Sequence, residues 1–135
     1  MPFVGTSHHQ ERRPADQLAG REMPYPRDRA ITSVFSSVVA AQPAAVAIRA
    51  SDETLTYAAL DARRRAMSVE LRACGVRPGD RVAILLERSA AHVVAQLGVL
   101  TCGAAYVPID PATPPSRRAI LFAERGLGTC CLACA

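Results

Sequence analysis

The spacing of hydrophobic positions first becomes regular at residue 31. Five apolar residues recur at helical spacing before Gln42-Pro43 and predict a short amphipathic helix: Ile31, Val34, Phe35, Val38 and Val39. Two short segments, 46–48 and 53–55, then flank the polar pair Ser51-Asp52, which predicts a small hairpin. Residues 1–30 show neither a helical nor a strand period. We therefore expect a disordered tail or linker over 1–30 and a folded part over 31–135.

The longest helical pattern begins at Tyr57. Thr56 precedes it and is placed to cap it, because a threonine hydroxyl accepts hydrogen bonds from the first free amides of a helix. Gly75 ends the pattern, as glycine often does at a helix C-terminus. Residues 77–80 then form a predicted tight turn with Gly79 at its third position, followed by a strand-length apolar run over 82–86.

The alternation of helix and strand continues to the end of the chain. Ser89 is the predicted cap of a helix that runs to about Cys102, and Gly103 separates it from a strand over 105–109. Thr113 is the predicted cap of a third helix that runs to Arg125, and 128–133 is the last strand candidate. Apolar strands separated by helices indicate parallel pairing, so we predict an α/β fold.

The amino-acid composition excludes several types of reaction, whereas the net charge excludes none. The chain has 135 residues, a net charge of +4 and 50% hydrophobic residues, which is typical of one folded domain. All of its basic residues other than histidine are arginine. The missing lysine excludes phosphate-binding P-loops, Schiff bases and lysine-assisted adenylation from this segment.

The N-terminal residues and the cysteines indicate the cellular compartment, and the apolar runs indicate whether the chain crosses a membrane. The first twenty residues contain no apolar core of a signal peptide, and the five cysteines have no disulfide-framework spacing, so we expect a reduced, cytoplasmic protein. Residues 89–109 carry no formal charge, but Gly98, Gly103 and Pro108 interrupt them. A buried helix followed by a buried strand is the favoured interpretation, and a membrane span is the alternative.

The carboxyl ends of the predicted strands are the first place to look for a site, because ligands of such sheets bind there. Residues 87–89 and Asp110-Pro111 occupy these ends. Neither is a glycine-rich phosphate loop. Asp110 could hold a ribose or a metal ion, but a carboxylate in this position more often closes a turn, which we favour.

Two motifs near the end of the chain are weak. The run 126–128, Gly-Leu-Gly, is half of a dinucleotide fingerprint and lacks its third glycine. Cys131 and Cys134, next to Cys130, suggest zinc or redox chemistry, but residues three apart on a strand face opposite ways. The pair His8-His9 would have to fold back to complete a metal site. Buried, inert thiols are therefore the favoured interpretation.

Arginine and histidine offer further candidates. Arg63, Arg64 and Arg65, together with Arg72, could form a phosphate-binding stripe, but only 4% of residues are aromatic and a solvated helix face is favoured. Arg64 falls on the apolar face of its helix, where a guanidinium must reach solvent, find a partner or cost stability. His92 lies in the first turn of an apolar helix, which favours a structural role.

Four ordered motifs of the chain resemble a known family. They are Leu55-Thr56-Tyr57-Ala58-Ala59-Leu60, 75–82, 85–89 and 103–111, with Leu55, Thr56, Tyr57, Leu60, Gly79, Asp80, Gly103, Ala104, Tyr106, Pro108 and Asp110 as the motif residues. Over residues 24–125 the chain resembles the N-terminal part of the adenylation domain of nonribosomal peptide synthetases, in the AMP-forming ligase superfamily. The run 25–28 is similar to the linker from an upstream condensation domain.

The resemblance implies activation of an amino or aryl acid by ATP, with Mg, as an acyl-adenylate that passes to a carrier-protein thiol. In the family the ATP loop, the substrate pocket and the catalytic lysine come later in the chain. We therefore expect no catalytic, cofactor-binding or metal-binding residue here. The chain departs from the family pattern at Ala59 and at the pair 101–102. It also departs at Arg64 and Arg118, because these two arginines stand where the family has small or apolar residues.

The first hypothesis is that this segment is an adenylation-domain fragment that is inactive alone. The alternative is an interaction module that complements a separately encoded remainder, or docks on a condensation domain through residues 25–39. A third is an arginine-rich nucleic-acid binder, although we expect neither nucleic-acid nor membrane partners.

Overall fold

The computed structural model describes residues 27–125 and 131–133. The predicted tail up to residue 26, the glycine pair of 126–128 and the pair His8-His9 lie outside the described residues. The helices are α1 (Ile31–Ala41), α2 (Tyr57–Ala73), α3 (Ala90–Thr101) and α4 (Pro115–Arg125). The strands are β1 (Val46–Arg49), β2 (Thr54–Thr56), β3 (Arg81–Leu85), β4 (Ala105–Pro108) and β5 (Cys131–Ala133).

The N-terminal half forms the predicted helix and hairpin. Strands β1 and β2 pair antiparallel, with Ile48 opposite Leu55. The chain passes directly from β2 into α2, and the amide of Ala59 donates to Oγ1 of Thr56 at 3.2 Å. This bond satisfies one of the free amides of the first helical turn. The hairpin and α2 are therefore joined without a loop, which holds the hairpin close to α2.

The second half forms a parallel sheet with β3 in the centre, in the order β4-β3-β5. Arg81 lies opposite Ala105, and Ala83 lies opposite Cys131. Strand β4 follows β3 on one side, and β5 returns to the other side of β3. Because crossovers of parallel strands are right-handed, the two opposite steps place α3 and α4 on opposite faces of the sheet. The predicted α/β fold is confirmed.

Both faces of β3 are buried, as its continuous apolar sequence requires. On one face, Val82 and Ile84 pack with Leu71 of α2 and Val99 of α3. On the other face, Ala83 and Leu85 pack with Ile109 and with two residues of α4, Leu121 and Phe122. A smaller core under the hairpin contains Leu55, Leu60, Ala90 and Val94. Full burial of one large apolar side chain contributes about 1.5–3 kcal/mol, so these clusters hold the layers together.

Helix α4 starts later than the sequence predicts. Thr113 was the expected cap, but the helix begins at Pro115 and the preceding position is Pro114. The reason is a turn in front of it, in which the amide of Thr113 donates to the carbonyl of Asp110 at 2.9 Å. Thr113 thus belongs to the turn, and the helix begins at the second of the two prolines.

The uncharged stretch 89–109 divides into α3 and β4, as the favoured interpretation predicts. Helix α3 has 12 residues. Among residues 27–125 and 131–133, no helix has the length and apolar character needed to cross a bilayer.

Candidate functional site

Residues of two motifs meet at the amino ends of β3 and β4. The amide of Gly79 donates to the carbonyl of Gly103 at 2.9 Å, and the amide of Ala105 donates to the carbonyl of Asp80 at 2.8 Å. Both glycines have positive φ, 89° and 76°, which L side chains adopt only with strain. The Asp80 carboxylate accepts from the amide of Arg77 at 2.7 Å, which closes the turn. These motif residues therefore connect the turn before β3 to the one before β4.

The first motif serves the smaller core. Leu55 and Leu60 are 4% and 3% exposed, and Thr56 caps α2. The ring of Tyr57 lies 6.0 Å from the ring of Phe35 on α1, a distance typical of an aromatic pair. The contacts of this motif are packing and capping contacts, and they fix α2 against the hairpin and α1.

The last motif forms β4 and the turn after it. Tyr106 and Pro108 lie opposite Val82 and Ile84 in the parallel register, and Ala104 is 5% exposed. Asp110 lies in the turn, where its Oδ1 accepts from the amide of Ala112 at 2.8 Å. The structure thus places Asp110 in the turn that the sequence favours.

Arg64 is buried and finds partners on three helices. Its Nε donates to Asp61 Oδ1 at 2.7 Å, one terminal nitrogen donates to Thr101 Oγ1 at 2.9 Å, and the other donates to Ser36 Oγ at 3.1 Å. Its guanidinium carbon also lies 5.2 Å from the ring centre of Phe35, within cation–π range. From the sequence, Arg64 had to reach solvent, find a partner or cost stability. In the structure it finds partners.

The other arginines of α2 do not form one surface. Arg63 pairs with Glu53 across to the hairpin, whereas Arg65 pairs with Asp61 on its own helix. Arg72 donates to the carbonyl of Thr101 at 3.0 Å. The hydrogen bond that Arg63 donates to Glu53 raises the pKa of Arg63 above its usual value. Each guanidinium is thus directed to a different neighbour.

His92 links the start of α3 to the end of β3. Its Nδ1 lies 3.0 Å from the carbonyl oxygen of Leu86, and its Nε2 lies 3.1 Å from Nε2 of Gln96. A carbonyl can only accept, so Nδ1 carries the proton and Nε2 accepts from the glutamine amide. Both ring nitrogens are engaged, which fits the structural role expected from the sequence.

The described cysteines are separate from one another. Cys74 is exposed after α2, whereas Cys102 is buried and donates to the carbonyl of Ser68 at 3.4 Å. The backbone of Cys131 lies in β5; Cys130 and Cys134 lie outside the described residues. Among the described residues, no group of three or more His, Cys, Asp or Glu could hold a metal ion. The described residues thus provide no such donor set for the Mg that the resemblance implies.

A cavity of about 520 Å³ lies outside the carboxyl end of β3. Its lining includes Leu85, Leu86, Glu87, Ser89, Pro111 and Arg118. The sequence marks 87–89 and Asp110-Pro111 as strand ends, and the structure brings Glu87, Ser89 and Pro111 to one cavity there. It also adds a residue that sequence reasoning did not place at the site. Arg118 Nε is buried and has no hydrogen-bond partner among the described residues. One indication of this role was present in the sequence, because Arg118 stands where the family has small or apolar residues.

Known proteins share this arrangement. The family described as AMP-binding enzyme matches residues 35–130. The chain is 43% identical to Malpibaldin synthetase of Mortierella alpina over 103 residues, 76% of this chain and 2% of that protein. The solved structure of the nonribosomal peptide synthetase FmoA3 is 36% identical with a TM-score of 0.72, over 78% of this chain and 11% of that one.

The Klebsiella oxytoca NpsA N-terminal subdomain has the same fold. Its TM-score is 0.70 at 22% identity, over 78% of this chain and 31% of that chain. The chain thus spans only a small part of the length of the relatives that it matches. It belongs to the AMP-binding enzyme family, in which it corresponds to the N-terminal part of a nonribosomal peptide synthetase adenylation domain.

Proposed function

We propose that this chain supplies the scaffold of an adenylation domain and that residues outside it carry the reaction. That reaction is the ATP-dependent activation of an amino or aryl acid as an acyl-adenylate, followed by transfer to a carrier-protein thiol. The observation that carries the proposal is the bond between the Gly79 amide and the Gly103 carbonyl, which ties two of the family motifs together as framework. We further propose that the protein acts in the cytoplasm.

The two motif carboxylates support a scaffold role. Asp80 accepts from the amide of Arg77, and Asp110 accepts from the amide of Ala112. A carboxylate that closes its own turn in this way orders the backbone around it. In both cases the ordered turn lies at one end of a parallel strand, so these groups set where β3 and β4 begin or end.

The test compares the isolated chain with a chimera. In the chimera, this chain replaces the aligned segment of Malpibaldin synthetase, and ATP–pyrophosphate exchange is measured with a panel of amino and aryl acids. We expect no acid-dependent exchange from the isolated chain and measurable exchange from the chimera. The unaltered synthetase region is the positive control. Exchange catalysed by the isolated chain, or a folded chimera without exchange, would contradict the proposal.

A second candidate function is that of an interaction module. Its support is the exposure of large apolar side chains, with Ile31 on α1 63% exposed and Val69 on α2 65% exposed. Exposed apolar surface favours binding to another protein. The partner would be the remainder of an adenylation domain, or a condensation domain that contacts residues 25–39.

Co-expression separates these partners. The chain is produced with the region of Malpibaldin synthetase that follows the aligned segment, and separately with a condensation domain, and each mixture is scored for copurification. Ile31→Ser should weaken capture by a condensation domain, with Ile120→Ser, an exposed apolar position on α4, as the matched control. Capture of neither partner would count against this second function.

A nucleic-acid role has less support. Arg63 and Arg65 are paired with acidic residues, which offsets the charge that a phosphate backbone would contact. Salt-dependent binding to RNA or DNA in a gel-shift titration would reverse this assessment.

A further inference from the structure

The cavity at the carboxyl end of β3 contains an unsatisfied donor. Arg118 Nε is buried, and it makes no hydrogen bond within the described residues. The ion pairs of Glu53 and Asp61 are made with Arg63, Arg64 and Arg65, not with Arg118. A buried donor without a partner costs about 1–3 kcal/mol, and this cost is removed when an acceptor enters. The site therefore favours an occupant that brings an oxygen acceptor to Arg118.

The position of the cavity also favours an occupant. In the strand order β4-β3-β5, β4 is added on one side of β3 and β5 on the other. A crevice forms where the connections change sides in this way, and α/β sheets bind their ligands in such crevices. The walls are largely apolar and include Leu85, Leu86 and Pro111. A partner that fills this cavity must therefore combine apolar groups with a single acceptor group.

We propose that the cavity docks a peptide segment of the adenylation domain that lies outside this chain, with an Asp or Glu side chain of that segment accepting from Arg118. The inference rests on the proposed scaffold function, because it names the contact by which the scaffold holds the rest of its domain. The guanidinium supplies the charge complement, and a charge-assisted hydrogen bond is stronger than a neutral one.

A peptide fits the site better than a free anion. A volume of about 520 Å³ exceeds the needs of a small ion, and the apolar walls suit the neighbours of an acidic residue in a chain. Asp52 and Glu87 also line the cavity and repel any anion that enters, and they repel a doubly charged phosphate more strongly than the single carboxylate of a peptide. The chain spans only 31% of the solved NpsA subdomain, so such a domain has further segments to pack here.

The test uses the complete 135-residue chain labelled with ¹⁵N-arginine, so that the Nε–H signal of Arg118 can be followed by NMR. The probes are the blocked peptides acetyl-Leu-Glu-Leu-amide and acetyl-Leu-Gln-Leu-amide. We expect the Glu peptide to shift the Arg118 signal and to bind about tenfold more tightly than the Gln peptide, the ratio given by about 1.4 kcal/mol. In Arg118→Gln this preference should disappear.

Arg117→Gln is the matched control, because Arg117 is an exposed neighbour on α4, and it should keep the preference. Arg118→Lys retains the positive charge but lacks the Nε donor, so it should keep part of the preference for the Glu peptide. Circular dichroism melting confirms that each variant is folded.

Three results would overturn the proposal. These are equal binding of the two peptides, an unmoved Arg118 signal at millimolar Glu peptide, and saturation by acetate or phosphate at the concentration that the Glu peptide requires, which would indicate a free-anion site. Peptide binding is measured without pyrophosphate exchange. If the peptides do not bind, the docking proposal fails and the chimera result is unaffected. If the chimera is inactive, the scaffold function fails and the peptide result is still valid by itself.

Discussion

Asp61 Oδ1 lies 2.7 Å from Nε of Arg64, in an ion pair that α2 buries against α1 and α3. The side chains of Arg64 and Asp61 are 6% and 13% exposed. Desolvation of two charges is expensive, and both terminal nitrogens of Arg64 donate to further partners, one to Thr101 and the other to Ser36. The pair therefore places the three helices relative to one another through directional bonds, in addition to apolar packing.

Removal of the carboxylate should be strongly destabilising. We expect Asp61→Ala to lower the free energy of unfolding by about 3–5 kcal/mol, because it leaves the buried Arg64 charge uncompensated. Urea denaturation followed by circular dichroism measures the change. The control is Glu53→Ala, which breaks the pair with Arg63, whose side chain is 48% exposed, and should cost no more than about 1 kcal/mol.

The double variant tests the cause. Asp61→Ala combined with Arg64→Met removes both charges and keeps an apolar side chain of similar length, so it should regain most of the lost stability. If the double variant is as unstable as Asp61→Ala, the uncompensated charge is not the reason for the loss.

The crossing of α2 and α3 depends on Gly98. A Cβ at this position would lie 2.5 Å from Met67 Cγ and 2.9 Å from Met67 Cβ, so the helices would have to separate. We expect Gly98→Ala to destabilise the fold by about 1–2 kcal/mol, since overpacking outweighs the gain in helix propensity. Thermal unfolding measures the effect. Adding Met67→Ala removes the contact with Cγ and leaves the one with Cβ, so it should relieve part of the clash. Additive losses in the double variant would argue against this contact.

The link between the two turns depends on Gly103. Its φ is 76°, and a Cβ would approach Pro78 Cβ to 3.2 Å, whereas a Cβ on Gly75 would meet nothing within 4 Å at a φ of 92°. Both alanine variants carry the cost of positive φ, about 1–2 kcal/mol, and Gly103→Ala adds the contact with Pro78. Gly103→Ala should therefore have the lower urea midpoint, and the reverse order would rule out the steric explanation.

The capping bond of α2 should contribute a smaller amount. Thr56→Ala removes the acceptor of the Ala59 amide, and we expect a loss of about 1 kcal/mol in the free energy of unfolding. Ser51→Ala, at an exposed position in the hairpin turn, is the control and should change it by less than about 0.5 kcal/mol. Equal unfolding curves for Thr56→Ala and the unaltered chain would mean that water replaces the cap.

Local features were accessible from the sequence because each depends on residues within one turn. Thr56 and Ser89 cap the helices that follow them, and Gly79 and Gly103 adopt positive φ in the turns where they are found. The start of α4 was predicted too early because Thr113 suits two roles, and the preceding turn takes it. The strand ends also indicated where a cavity should lie, since that rule depends only on the order of strands and helices.

The sequence by itself determined the order of helices and strands, the parallel character of the sheet and the resemblance to adenylation domains, since hydrophobic spacing and short motifs encode them locally. Only the tertiary structure decided the partners of Arg64 and the unsatisfied state of Arg118. Ser36 and Thr101 lie far from Arg64 along the chain, and Pro111 reaches the cavity with Glu87 only once β4 has paired with β3. Contacts between side chains on different elements depend on how the layers pack, and no local pattern specifies that packing.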